Sequence, residues 1–291
     1  IILLTNSSCA ENNEPHDVDV FTVQQLKTIS NSNTVPSVRQ IINKDGVFFA
    51  YMSDSSLYTW SLNDQKLILF SKLPNLPYIY TNSYMDTTED EKKLWRETVT
   101  FLAPGENEIW GINIFSGKIG IINDDGIKWK DHCLNVDCLF PDEYSWPLRI
   151  VDAFVHSKKL FVYAAFDNDT YPHNNYMMVC FDIETGLYEI IDIQNSQGLS
   201  KYKDDSVILL CYENQKWITK VLDLYSLEVR ESPYKEYLTV DGKTIGGVAY
   251  NPYTDQLFFT TSSQVWAAAP GEEFQAVSIP CRGSTGIYIK L

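Results

Sequence analysis

Positive charge is scarce in this sequence. It has 23 lysines and arginines against 38 aspartates and glutamates, a formal net charge of −15. No cluster of basic residues interrupts this excess of acid. A protein that holds a nucleic acid by its phosphates needs a basic surface, so the composition argues against nucleic-acid binding.

Motifs that mark common catalytic and cofactor sites are also missing. The four histidines, at positions 16, 132, 156 and 173, form no metal cluster in the sequence. There is no Gly-x-Ser-x-Gly nucleophile turn and no glycine-rich phosphate loop before a helix. Residues 167–170 alternate oxygen ligands but lack the glycine and distal glutamate of a calcium-binding loop. We therefore expect no metal site and no cofactor.

Cysteine is too sparse for a fold held by disulfides, with six in 291 residues. Cys180 and Cys211 lie in apolar segments, where a free thiol behaves as a small hydrophobic group. Cys133 and Cys138 lie in a polar loop and could form a local disulfide in an oxidising compartment. A zinc site there would need two more ligands at short spacing, and the sequence offers none.

The apolar residues 1–4 are too few to cross a bilayer. They are followed by Ser7, Ser8, Cys9 and Ala10, and then by an acidic stretch rich in asparagine. This arrangement resembles a bacterial lipoprotein signal, in which lipid is attached to the cysteine. The resemblance implies lipidation of Cys9, a signal-peptide remnant and lipoprotein tether over residues 1–20, and a cell-surface location. The alternative is a frayed terminus.

Aromatic residues are abundant, at 13% of the chain, with 18 tyrosines and 7 tryptophans. Flat rings pack well on pleated sheets, so this composition favours strands. A chain of this length can bury a large core, as one all-β domain or two smaller ones. Residues 88–96 are the one segment whose charge order is typical of a short helix.

An apolar strand recurs at intervals of about 50 residues. The copies, interpreted as the first strand of each unit and expected inside its sheet, are 47–52, 98–103, 160–166, 207–213 and 257–262. A turn motif follows in each unit, at 61–67, 113–119, 182–188, 223–229 and, shifted, 268–274. In the clearest copies an Asp or Asn can bond the turn backbone, and a glycine supplies the positive φ that closes a hairpin.

Hairpins repeated at this interval predict an all-β fold, a β-propeller of four-stranded blades over residues 21–291. We expect about five complete blades and partial blades at both ends, with a β-sandwich as the alternative. The final strand, at 286–291, has no hairpin partners in the sequence, so we expect the protein to continue beyond Leu291.

Two segments carry a family resemblance: 108–113 followed by 116–118, and 246–251 followed by 255–259. They resemble WD40-like or YVTN-like bacterial propeller repeats. More specifically, the chain is similar to the N-terminal propellers of Gram-positive lipoproteins that carry an extracellular solute-binding domain of the ABC-transporter type. The resemblance implies a membrane-anchored, extracellular propeller that assists solute uptake. The Gly-His and Trp-Asp pairs of eukaryotic WD40 repeats are absent.

Aromatic residues in loops mark the predicted binding site. The longest insertions, 74–96 and 131–147, flank the second unit, and the loop 171–176 joins strands of the third. Rings mixed with amides and acids suit protein or carbohydrate ligands, although they could instead cover the blade ends. The predicted ligand-binding residues are Tyr78, Tyr80, Tyr84, Trp95, Tyr144, Trp146, Tyr171 and His173.

The expected function is that of a non-enzymatic binding module on a cell surface, with a protein or carbohydrate partner. The alternative is an extracellular propeller hydrolase or lyase that acts on glycans. Glycan hydrolysis needs only two facing carboxylates, so abundant acid neither supports nor opposes it.

Overall fold

A computed structural model describes residues 2–5, 22–25, 38–44, 47–61, 66–74, 90, 93, 96–135, 149–166, 175–193, 195–203, 205–238, 245–261 and 264–277. The chain divides into two compact units, residues 33–194 and residues 1–32 with 195–291. No helix in the part of the chain that the structure describes is long and apolar enough to cross a membrane. Asp90 and Lys93, inside the predicted helix, are helical.

The unit of residues 33–194 contains three antiparallel four-stranded sheets, here called blades 1, 2 and 3. Blade 1 consists of β3 (Val38–Lys44), β4 (Val47–Met52), β5 (Ser56–Ser61) and β6 (Lys66–Lys72). Blade 2 consists of β7 (Phe101–Pro104), β8 (Ile109–Ile112), β9 (Lys118–Asn123) and β10 (Gly126–Cys133). Blade 3 consists of β11 (Arg149–His156), β12 (Lys159–Phe166), β13 (Asn175–Asp182) and β14 (Tyr188–Ile191).

The other unit contains blades 4 and 5 and a two-stranded sheet of β1 (Ile2–Thr5) and β2 (Thr22–Gln25). Blade 4 consists of β15 (Ser196–Lys201), β16 (Ser206–Glu213), β17 (Lys216–Asp223) and β18 (Val229–Glu231), and β17 also pairs with β19 (Tyr237–Leu238). Blade 5 consists of β20 (Ile245–Asn251), β21 (Gln256–Thr261), β22 (Val265–Ala268) and β23 (Gln275–Val277).

In every blade the strands follow one another as a meander, each hydrogen-bonded to the next. The prediction of an all-β propeller fold with four-stranded blades is therefore confirmed. In the described ranges, the larger sheets are five separate meanders rather than the two packed sheets of a sandwich.

The predicted start of the repeat was one strand late in four blades. The apolar strands β4, β12, β16 and β21 lie inside their sheets as expected, but each is the second strand, while β7 is an edge strand. The missed first strands are more polar; β15, for example, reads SQGLSK. Polar residues and glycines interrupt the apolar pattern of these strands, and the sequence pattern therefore places the start of the repeat at the more continuous second strands.

The first strands share a structural feature instead of a sequence pattern. A β-bulge interrupts pairing near the start of β3, β11, β15 and β20. A bulge adds one residue and bends the strand while its partner stays regular. The same bend at the same place in four blades shows that the repeat extends to these strands.

The apolar core of each unit lies between successive blades. Leu57 and Leu102 belong to the cluster between blades 1 and 2, and Phe181 to the cluster between blades 2 and 3. Leu257 and Phe259 belong to the cluster between blades 4 and 5. Burying one such side chain contributes about 1.5–3 kcal/mol to stability, so adjacent blades stabilise each other.

The hydrogen bonds predicted for the repeated turn motif form in blades 2, 3 and 4. The Asp182 carboxylate accepts hydrogen bonds from the backbone N–H groups of Glu184 and Thr185, at 3.0 and 2.8 Å. Asn113 and Asp223 make the corresponding pairs of bonds in blades 2 and 4. The motif joins the third and fourth strands in four blades, but the second and third strands in blade 2.

Candidate functional site

The predicted site residues lie outside the described residues, and their roles stay predictions. They are Tyr78, Tyr80, Tyr84, Trp95, Tyr144, Trp146, Tyr171 and His173, together with Cys9. Cys138 and residues 167–170 lie outside them too. Among the residues that are described, no group of three or more His, Cys, Asp or Glu side chains could hold a metal ion.

Three described cysteines are free thiols, Cys133, Cys180 and Cys211. Cys133 is exposed, while Cys180 and Cys211 are buried in their strands, as predicted. Burial raises the pKa of the Cys180 thiol to about 11 and that of the Cys211 thiol to about 12. These two buried thiols stay protonated and serve as packing groups.

The best-defined polar site lies in the unit that contains blades 4 and 5. We call it the tyrosine–aspartate cluster, and its members are Tyr202, Lys203, Tyr234, Tyr250 and Asp255. Tyr202 and Lys203 follow β15 in the first hairpin of blade 4, and Asp255 ends the corresponding turn of blade 5. Tyr250 belongs to β20, and Tyr234 follows β18.

The two carboxylate oxygens of Asp255 have different surroundings. Oδ1 accepts a 3.1 Å hydrogen bond from the Tyr250 hydroxyl. The Tyr234 hydroxyl lies 3.5 Å from Oδ1 and 3.4 Å from the Asp255 backbone carbonyl oxygen, and it shares its one proton between them. Oδ2 accepts a hydrogen bond of 2.6 Å from the Lys203 ammonium. The tyrosines therefore orient the carboxylate from one side, and the ammonium binds it from the other.

The tyrosine rings pack edge to face beneath this ion pair. The Tyr202 ring centroid lies 4.7 Å from that of Tyr250 and 6.4 Å from that of Tyr234. The Lys203 ammonium lies 5.6 Å from the centroid of the Tyr202 ring, over its face. An ammonium at this distance is attracted by the negative face of the ring. Lys203 is thus held by a carboxylate and an aromatic ring together.

Burial and charge set the protonation states in the cluster. Tyr234 and Tyr250 are buried, and this desolvation raises the pKa of both hydroxyls, that of Tyr250 to about 12. The hydrogen bond from Lys203 lowers the pKa of Asp255, and the same bond raises the pKa of Lys203. At neutral pH Tyr234 and Tyr250 are neutral donors, Asp255 is ionised and Lys203 is charged. The cluster is therefore suited to recognition of charge.

Local turn chemistry positions the exposed side of the cluster. The Asn251 side chain accepts a 3.0 Å hydrogen bond from the backbone N–H of Tyr253, and Asp255 adopts a left-handed φ of 52°. Asp tolerates this conformation better than most residues. The turn leaves Tyr253 84% exposed. Beside it, the buried hydroxyl of Thr254 has no hydrogen-bond partner within the described part of the chain.

A related contact joins the first hairpins of blades 2 and 3. Glu106 Oε1 lies 3.4 Å from His156 Nδ1 and accepts a 3.0 Å hydrogen bond from the Ser157 backbone N–H. Ser157 Oγ lies 3.4 Å from His156 Nε2. Ser157, His156 and Glu106 follow one another in the order of a Ser-His-acid triad. However, the Glu106 carboxylate also accepts the hydrogen bond from the turn backbone, and Ser157 is exposed. We interpret the contact as a link between two turns.

The sequence prediction missed the tyrosine–aspartate cluster. Tyr250 and Asp255 lie within the segments that carry the propeller resemblance, and the Asn-Pro pair at 251–252 signals a turn. Those local signals could have marked one half of the site. Tyr202 and Lys203 come from the preceding repeat, so only the packing of blade 4 on blade 5 brings the two halves together.

No family model matches the sequence, and no curated protein matches it. The computationally designed protein Ika8 is similar at 12% identity and a TM-score of 0.39, over 78% of this chain and 56% of that one. A complex of KlAtg21 with the coiled-coil of AgAtg16 is similar at 14% identity and a TM-score of 0.46, over 83% of this chain and 69% of the other.

The mitotic checkpoint complex contains a chain that is similar at 8% identity and a TM-score of 0.45, over 91% of this chain and 72% of that one. This chain thus spans little more than half the length of Ika8 and about two thirds to three quarters of the other two. The assignment to the β-propeller class rests on the pairing of the strands themselves.

Proposed function

We propose that this protein is a binding module that works at a cell surface. The observation that carries the proposal is the exposed Tyr253 ring, in the same turn as Asp255, together with the half-exposed Asp255–Lys203 pair, whose side chains are 43% and 44% exposed. Large exposed rings next to charged groups are typical of residues that dominate protein interfaces. A propeller fold is consistent with such a binding or interaction role.

The base of the surface is rigid, and this favours binding. Tyr234 and Tyr250 are buried and bonded to Asp255, and the backbone N–H of Tyr250 donates a 3.0 Å hydrogen bond to Ser200 Oγ of β15. Groups that are already ordered lose little entropy when a ligand binds. The partner we propose is a protein or a carbohydrate.

The proposed location rests on the N-terminal sequence, in which Cys9 follows two serines. We propose that lipid on Cys9 anchors the protein and that the propeller assists a solute-uptake lipoprotein. Cys9→Ala should move the full protein from the membrane fraction to the soluble fraction, while Cys133→Ala, the control, should not. Identical fractionation of Cys9→Ala and wild type would contradict the anchor.

The binding role is tested with a Tyr253→Ala variant on arrays of glycans and of surface proteins. We expect it to lose at least about tenfold in apparent affinity for the wild-type targets, as for a ring at the centre of an interface. Tyr225→Ala is the matched control, because Tyr225 is also exposed, at 60%, in a turn of the same unit. Equal binding by Tyr253→Ala and wild type would contradict the proposed surface.

A further inference from the structure

We propose that the tyrosine–aspartate cluster binds a primary ammonium group of the partner, a lysine side chain, and that Lys203 occupies this position when no partner is bound. The inference rests on the proposed function and names the chemistry that the site recognises. It follows from the contacts of Asp255, from the exposure of Lys203 and from the charge of the protein.

The contacts of Asp255 leave one position for a cation. The Tyr250 and Tyr234 hydroxyls lie on the Oδ1 side of the carboxylate, at 3.1 and 3.5 Å, so the oxygen that faces a cation is Oδ2. Lys203 shows which group fits there, because its ammonium lies 2.6 Å from Oδ2 and over the face of Tyr202. A carboxylate and an aromatic face at these distances are complementary to an ammonium group.

Lys203 can leave this position at low cost. Its side chain is 44% exposed and that of Asp255 is 43% exposed. Ion pairs at such exposed positions contribute little to stability, because water and salt screen them and the lysine loses rotamer freedom. A ligand ammonium would restore the same contacts with Oδ2 and Tyr202, while Lys203 turns into solvent.

The charge of the protein favours a basic partner. With a net charge of −15, the chain attracts cationic groups over distances of about the Debye length and speeds their encounter with the surface. Tyr253, two residues before Asp255 in the same turn, is 84% exposed and offers a ring for the apolar stem of a lysine. A lysine in a basic segment of a protein is complementary both to the negative charge and to the exposed ring.

The experiment removes the internal ammonium and adds one from outside. Lys203→Met keeps the apolar stem and loses the charge, and its binding of n-butylammonium is followed by NMR titration. We expect about two- to fivefold tighter binding than by wild type, because the competing ion pair is worth at most about 1 kcal/mol. This gain should be lost when Lys203→Met is combined with Asp255→Asn. Tyr202→Leu in the Lys203→Met background should weaken binding about two- to fivefold, by loss of the cation–π contact.

Lys216→Met is the matched control, because Lys216 forms an exposed 2.6 Å ion pair with Glu236 in the same unit. If Lys203→Met binds n-butylammonium no better than Lys216→Met, or if Asp255→Asn leaves the gain unchanged, the proposal is wrong. Circular dichroism checks that each variant is folded. The Tyr202→Leu variant keeps the test valid if the double variant with Asp255→Asn does not fold.

A second arm separates a partner's lysine from a free amine. A short peptide with one lysine between glycines should bind Lys203→Met more tightly than n-butylammonium does, and the arginine version should bind less tightly than the lysine version. If the peptide and n-butylammonium bind with equal affinity, the proposal that the ligand is a lysine of a protein partner is wrong. The proposed function is tested separately. If Tyr253→Ala leaves array binding unchanged while Lys203→Met still gains ammonium binding, the proposed function is wrong but the ammonium site is not.

Discussion

Leu227 occupies the turn position in blade 4 that Gly117 occupies in blade 2, and both residues have a left-handed backbone, with φ of 59° and 69°. The Leu227 N–H donates a 3.0 Å hydrogen bond to the Asp223 carbonyl, which closes the turn. A side chain in this backbone region costs about 1–2 kcal/mol relative to glycine. The turn of blade 4 is therefore held by its hydrogen bonds against the preference of its own residue.

Leu227→Gly should stabilise the protein, because it removes this strain. We expect a gain of about 1 kcal/mol in the free energy of unfolding, after the larger entropy of glycine in the unfolded chain is subtracted. Denaturant unfolding at neutral pH measures it. Leu187→Gly is the control, since Leu187 is exposed and is not among the left-handed residues. A loss of stability in Leu227→Gly would show that the leucine side chain stabilises more than its backbone costs.

Gly117→Ala should destabilise the protein by more than Gly271→Ala. Both glycines are left-handed, with φ of 69° and 77°, so both variants carry the same backbone cost of about 1 kcal/mol. A Cβ on Gly117 would lie 2.1 Å from the Leu134 carbonyl oxygen, whereas one on Gly271 meets no atom within 4 Å. We expect a further loss of at least about 1–3 kcal/mol from overpacking. If thermal unfolding shows that the two variants lose equal stability, the close approach of Gly117 to the Leu134 carbonyl does not cost stability.

Gln40→Ala should weaken the contact between blades 1 and 2. The Gln40 amide donates a 2.7 Å hydrogen bond to the Leu102 carbonyl and accepts one of 2.8 Å from the Leu102 N–H. Removing it leaves two backbone groups without these bonds, at a cost of about 1–3 kcal/mol. Gln275→Ala, at an exposed position of β23, is the control and should change the free energy of unfolding by less than about 0.5 kcal/mol.

The Asp182 turn predicts a dependence of stability on pH. Hydrogen bonds from Thr185 lower the pKa of the Asp182 carboxyl in the folded protein. Because this pKa is lower in the folded than in the unfolded protein, the ionised carboxylate stabilises the fold at pH values above the unfolded pKa of about 3.9. The stabilisation is lost as the pH falls through the folded pKa. The Asp182→Asn variant has no carboxyl group at this position. As the pH is lowered from 5 to below the folded pKa, it should therefore lose less stability than wild type.

Thermal unfolding of both proteins over this pH range is the measurement. Asp192→Asn is the control, since Asp192 is an exposed aspartate of the same blade outside this turn. If Asp182→Asn and wild type lose stability in parallel as the pH falls, the turn hydrogen bonds do not set the pKa of Asp182.

The sequence by itself determined the parts of the fold that local chemistry specifies. The second strands are continuous apolar runs, as in β16, which reads SVILLCYE, and such runs are recognisable without any partner. The turn motif is also local, because the Asp182 side chain bonds backbone groups two and three residues ahead. These signals were sufficient to predict an all-β propeller with four-stranded blades.

Only the tertiary structure decided where each blade begins and which residues form the polar site. First strands such as β15 hold few apolar residues, and β15 is ordered by its pairing with β16. Asp255 meets Lys203 across 52 positions of sequence, since the first hairpins of blades 4 and 5 lie side by side. Contacts between repeats depend on how blades pack, and no pattern within a single repeat encodes that packing.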